Sequence, residues 1–80
     1  MKLTILFFGI TTDLVNASSK EMELTEGICI GDFKELLKTN YPQLQHIHSY
    51  SIAVNEAYAS DEVVLKANDV VAIIPPVSGG

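Results

Sequence analysis

Hydrophobic and polar residues alternate along 2–8, KLTILFF. Leu3, Ile5 and Phe7 fall on one side, and Lys2, Thr4, Leu6 and Phe8 on the other. That period of two predicts a first strand, closed by Gly9. Its polar members make the second side the outer face, which leaves Leu6 and Phe8 as apolar groups pointing outward. Thr11 to Ser19 is polar and reads as a loop. Lys20 to Leu24 alternates again, with Met22 and Leu24 inward, and Thr25-Glu26-Gly27 reads as a turn.

The period then changes. Ile30, Phe33, Leu36 and Leu37 share one face at helical spacing, with Asp32, Glu35 and Lys38 opposite, so a helix is expected over 30–40. Glu35 precedes Lys38 in the favourable orientation. Asn40 and Pro42 supply the stop. Cys29 stands where a Ser or Thr N-cap is expected, and thiols cap weakly. Gln43 to Tyr50 reads as irregular. Ser51 to Asn55 reads as a strand with Ile52 and Val54 on one face. Glu56-Ala57 follows as a tight turn, and Tyr58-Ala59 as a short returning strand. Asn68-Asp69 is a turn signal. Val70 to Ile74 is nearly all apolar, which predicts a central strand buried on both faces. The order β-β-α-β-(β)-β gives an α+β roll: a mixed sheet with one main helix on one face.

Eighty residues make one domain, 1–80, and 48% hydrophobic content suffices for one core. The basic residues are five lysines and no arginine, and the net charge is −5. Such a chain repels nucleic acid. Without arginine it also lacks the bidentate group that grips phosphate, so a phosphorylated small molecule would need a partner to hold it. One cysteine permits no internal disulfide, which fits a reducing, cytoplasmic setting. Met1 to Ile10 superficially resembles a signal peptide, with Val15-Asn16-Ala17 as a loose cleavage site. Thr4 and Gly9 break its apolar run, and a first strand is the better reading. No stretch is long enough for a membrane helix.

The side chains offer no catalytic constellation. His46 and His48, two apart in an expected loop, lack a third metal ligand, so no metal site is expected. Cys29 has no histidine near it in sequence and reads as a structural thiol. Asp61-Glu62 and Glu21/Glu23 read as solvated charges. No nucleotide-binding motif is present. What remains is the end of the sequence, Pro75-Pro76-Val77-Ser78-Gly79-Gly80, directly after the last strand. Proline favours an extended course, and paired glycines pass through channels too narrow for a side chain. Residues 75–80 are therefore expected to form an extended, flexible tail. The one candidate reactive group is the Gly80 carboxylate, inert until activated.

Across nearly its whole length the chain resembles the MoaD-like sulfur carriers of the ubiquitin-like β-grasp group, the small subunits of molybdopterin synthase. The resemblance rests on Leu6-Phe7-Phe8-Gly9, Tyr41-Pro42, Ala53-Val54-Asn55 with Tyr58, and Asp69 through Gly80 ending in PPVSGG. It departs at Ala67-Asn68, where the family carries a glycine before its Asp, and at Cys29 in the cap position. The resemblance implies that a MoeB-like E1 enzyme adenylates the Gly80 carboxylate with ATP. Sulfur from a cysteine desulfurase or rhodanese-like donor then replaces AMP to give a thiocarboxylate. It implies that Pro75, Pro76, Val77, Ser78 and Gly79 thread into a MoaE-like large subunit holding the pterin precursor, and that Phe8, Tyr58 and Ile74 dock that partner. On this reading the chain binds no cofactor itself and is a sulfur-donating subunit, not a catalyst alone. Three other readings stand beside it: a carrier for thiamine or tRNA thiolation, a ubiquitin-like protein modifier joined through Gly80 to lysines, and a plain interaction module. The diproline and the AVN segment argue against the first of these.

Overall fold

The computed structural model describes residues 1–46 and 50–76. Its elements run β1 (Lys2–Phe7), α1 (Ile10–Val15), β2 (Ser19–Glu23), α2 (Ile30–Asn40), a 3₁₀ turn (Pro42–His46), β3 (Ser51–Val54), β4 (Ala57–Tyr58) and β5 (Val70–Ile74). The five strands form one sheet in the order β2-β1-β5-β3-β4. β1 and β5 are parallel, and every other pairing is antiparallel. With α2 laid across one face, this is the β-grasp roll that the sequence predicts.

The register explains the burial. Leu3, Ile5 and Phe7 of β1, Val71 and Ile73 of β5, and Ile52 of β3 all face α2, and none is more than 2% exposed. Ile30, Phe33 and Leu37 of α2 meet them at 0% exposure, and Leu24, Leu44 and Leu65 close the margins. Phe7 packs edge-on against Tyr41, with ring centroids 5.7 Å apart. This apolar layer is the main stabilising term, and Leu→Ala within it is worth about 2–5 kcal/mol.

Four expectations need correction. Residues 11–15, part of the expected loop, belong to the short helix α1. The Thr11 hydroxyl donates to the Phe8 carbonyl and accepts from the Phe8 N–H, while Thr12 donates to the Phe7 carbonyl. Thr11 and Val15, four apart, are both buried. Polar β-branched residues hid this single turn-and-a-half from any periodicity reading. Residues 43–46, expected as irregular, belong to the 3₁₀ turn Pro42–His46, with Leu44 as its buried anchor.

The tight turn lies at Asn55-Glu56, one residue earlier than expected, because Val54 pairs with Ala57 and Ala53 with Tyr58. β5 is central but is not buried on both faces. Val71 and Ile73 are buried, whereas Val70 is exposed and Ala72 and Ile74 are half-buried. Among the described residues no helix covers that second face.

Cys29 is the N-cap of α2 and makes no side-chain capping bond. The deficit is met from elsewhere. The Ile30 N–H donates to the Val63 carbonyl at 2.9 Å, and the Gly31 N–H to the Asp61 carbonyl at 3.0 Å. Backbone of the 59–69 loop thus satisfies the orphan donors that a Ser or Thr would otherwise serve. Lys34 adds an ion pair to Asp61 at 2.8 Å.

Candidate partner-docking cleft at the root of the tail

The uncovered face of the sheet is an apolar cleft of about 610 Å³. Its make-up follows from strand pairing. Leu6 pairs with Ala72, Ala72 with Ala53, and Ala53 with Tyr58, so these four residues form one row across four strands. The two alanines are its floor, and the larger Leu6 and Tyr58 are its walls. Phe8 and Ile74 line the cleft where β1 and β5 end; Val70 and Asn55 line it at the other end. Phe8 is 47% exposed and Tyr58 75%, high values for aromatic side chains.

Phe8, Tyr58 and Ile74, far apart in sequence, therefore line one cleft. Sequence reasoning identified its walls and missed its floor. The signal for the floor was two alanines, Ala53 and Ala72, inside strands otherwise built of larger apolar residues.

Two devices hold this surface in shape. The first is Asn55. Its side-chain carbonyl accepts from the Val70 N–H at 3.0 Å, and its amide donates to Asp69 Oδ1 at 2.9 Å. Its backbone N–H donates to the Val70 carbonyl at 2.8 Å. One residue thus clamps the β3–β4 hairpin, and Tyr58 with it, to the start of β5. Asp69 is in turn fixed by the Lys66 N–H at 2.8 Å. Asn68, at φ 69, adopts left-handed turn geometry, which an asparagine tolerates.

The second device is Gly9, at φ 55 and ψ −135. A Cβ there would lie 3.0 Å from Pro75 Cγ. The close approach lets the chain leaving β5 pass directly over the end of β1. Pro75 is half-buried and Pro76 exposed. Val77, Ser78, Gly79 and Gly80, expected to complete the tail, lie outside the described residues, as does His48. Cys29 places its thiol 3.5 Å from Asp32 Oδ2. Among the described residues no three metal-ligating side chains gather, and no helix is long and apolar enough to cross a membrane.

Among the described residues the cleft carries one charged side chain, Glu56. Round the β4 edge lies a more polar depression lined by Lys34, Tyr50 and Asp61. Burial there pushes the Tyr50 phenol above its usual value; Lys34 nearby opposes the shift and Glu35 reinforces it.

The body is thus a β-grasp roll whose central strand leads directly into Pro75-Pro76, beside an uncovered apolar cleft. The chain belongs to the ThiS family, whose model matches residues 5–80. It is 33% identical over 82 residues to the molybdopterin synthase sulfur carrier subunit of Mycobacterium tuberculosis (strain ATCC 25618 / H37Rv), an alignment covering 100% of this chain and 99% of the relative. Among solved structures it is similar to a Pyrococcus furiosus chain described as subunit 1 of a molybdopterin converting factor. That chain has a TM-score of 0.86 and 29% identity, with 96% of this chain and 99% of that one covered. It also shares its fold with a chain in the Helicobacter pylori complex of subunits 1 and 2 of molybdopterin-converting factor, at a TM-score of 0.72 and 22% identity, with 100% of both covered.

Proposed function

We propose that this protein is the sulfur carrier subunit of a molybdopterin synthase, with Gly80 as the site that bears the sulfur. One observation carries the reading: the family match runs through Gly80, and the described part of the tail leaves β5 at the mouth of an apolar cleft. Of the relatives compared, the M. tuberculosis protein is named for this role.

The chemistry follows from the terminal carboxylate. Its oxygen attacks the α-phosphorus of ATP on a separate activating enzyme, and pyrophosphate leaves. The resulting acyl adenylate is an electrophile with AMP as leaving group. The terminal sulfur of a donor protein's persulfide attacks the acyl carbon and displaces AMP, giving an acyl disulfide; a second thiol then attacks the donor's sulfur, forms a disulfide with it and releases the thiocarboxylate. The large subunit then receives residues 75–80 while its own apolar surface covers Phe8, Tyr58 and Ile74. The pterin's phosphate is gripped on the large subunit, since this chain has no arginine. The H. pylori complex gives the assembly a precedent in its pairing of subunits 1 and 2. No cofactor is assigned to the chain itself.

Intact-mass analysis tests the reading. Incubation with the activating enzyme, ATP and a sulfur donor is expected to replace one oxygen by sulfur at Gly80. The chain lacking Gly80 is expected to stay unmodified. An unchanged mass with an enzyme competent on another carrier would refute the assignment. Conjugates to lysines on denaturing gels, lost with Gly80, would favour a protein modifier instead.

A further inference from the structure

The β3–β4 hairpin closes with a two-residue loop in which both residues have positive φ, 50 at Asn55 and 74 at Glu56. That is the type I′ geometry, where Asn-Gly is the favoured pair. Asn55 suits its position and uses its side chain to clamp β5. Glu56 does not suit its own. A glutamate has a Cβ and a long side chain and gains nothing from left-handed backbone, whereas glycine adopts it freely.

Glu56 also has no partner at home. It joins none of the ion pairs and none of the side-chain hydrogen bonds among the described residues. Yet among the described residues it is the only charged group lining the apolar cleft, and no described cation balances it there. The strained position therefore holds a single unpaired carboxylate at the rim of a surface otherwise made to meet apolar side chains. Backbone outliers of this kind cluster at functional sites.

Building on the carrier reading, we propose that Glu56 is a specificity-determining contact, its carboxylate receiving a lysine or arginine of the large subunit as that subunit's apolar surface fills the cleft. The apolar floor and walls supply contact area, and the rim charge sets orientation and encounter rate. A partner with an equally apolar centre but an acidic rim is repelled, which separates cognate from non-cognate docking.

Stability and affinity should move in opposite directions. Glu56→Gly relieves the turn and is expected to raise the melting temperature by a few degrees, while weakening binding to the same organism's large subunit about fivefold at low salt. Glu56→Gln keeps the strain and the bulk, and is expected to lose the same affinity with no gain in melting temperature. Glu56→Lys is expected to weaken binding roughly thirtyfold. All three gaps should close near ~0.5 M salt, where charges are screened within about 5 Å.

Calorimetric titration at two salt concentrations, alongside thermal unfolding, reads all of these. Equal affinities for wild type, Glu56→Gly and Glu56→Lys at low salt would overturn the proposal while leaving the carrier reading intact. Failure of the wild-type chain itself to bind the large subunit would remove the carrier reading, and this inference with it.

Discussion

Gly9 and Pro75 are so close that the smallest possible side chain on Gly9 would press on the proline ring: its Cβ would sit 3.0 Å from Cγ. The glycine also holds φ 55 with ψ −135, a region that L-residues avoid. Gly9→Ala is therefore expected to cost about 1–3 kcal/mol of stability and to displace the root of the tail. Thermal unfolding checks the first effect. A slower sulfur transfer in the assembled synthase, at protein concentrations where folding is complete, checks the second.

Asn55 combines two roles that can be separated. Asn55→Gly keeps the left-handed backbone and removes the side-chain bonds to Val70 and Asp69. Asn55→Ala removes the bonds and also strains the turn. The glycine variant is expected to lose about 1–2 kcal/mol for two hydrogen bonds, and the alanine variant about 1 kcal/mol more. Urea unfolding of both decides the matter. Equal losses would mean that the backbone conformation carries no cost here.

The cleft floor offers a test that leaves the exposed walls untouched. Ala72→Met places a longer side chain on the open face between Leu6 and Ala53. The body should remain folded, with stability changed by less than about 1.5 kcal/mol, since the new atoms project away from the core. Affinity for the large subunit is expected to fall at least about tenfold, measured by titration, because the space that the partner would enter is filled. Unchanged affinity would place docking elsewhere.

Tyr50 makes an alkaline prediction with a definite sign. Burial raises its pKa above the usual value, so the folded state favours the neutral phenol. Its contribution to stability is complete below the unfolded value, about 10, and is lost as pH rises through the folded one. Stability should thus decline on the alkaline side of about pH 10. Tyr50→Phe is expected to flatten that decline. An identical alkaline slope in the variant would exclude Tyr50 as its source.

Much of this arrangement is legible in the sequence, and the illegible parts have physical reasons. The period-two run in β1 assigns Leu3, Ile5 and Phe7 to the core because each strand position has only two possible faces. α2 is legible because Ile30, Phe33 and Leu37 repeat over about two turns and Pro42 ends the pattern. α1 is not, because its six residues complete fewer than two turns and are held by hydroxyl-to-backbone bonds that leave no periodic trace.

The cap of α2 is misleading when read locally. Cys29 suggests a weak start, yet the donors of Ile30 and Gly31 are met by carbonyls some thirty residues away. The open face of β5 escapes for a related reason. A run of apolar residues says that both sides avoid water, and cannot say whether a helix of the same chain or another molecule covers the second side. Phe8, Tyr58 and Ile74 come together only through the four-strand register, which no local window contains.

The central position of β5 has a mechanical consequence. Parallel bonds to β1 flank it on one side and antiparallel bonds to β3 on the other. Tension applied through Pro75 runs along the strand and across those ladders, so it loads them in shear, many bonds at once, instead of peeling them one by one. Hauling the end of this chain into or out of a tight channel would strain the channel and the linker before it unravelled the body. The fold thus anchors Pro75 at the point where a pull does least harm.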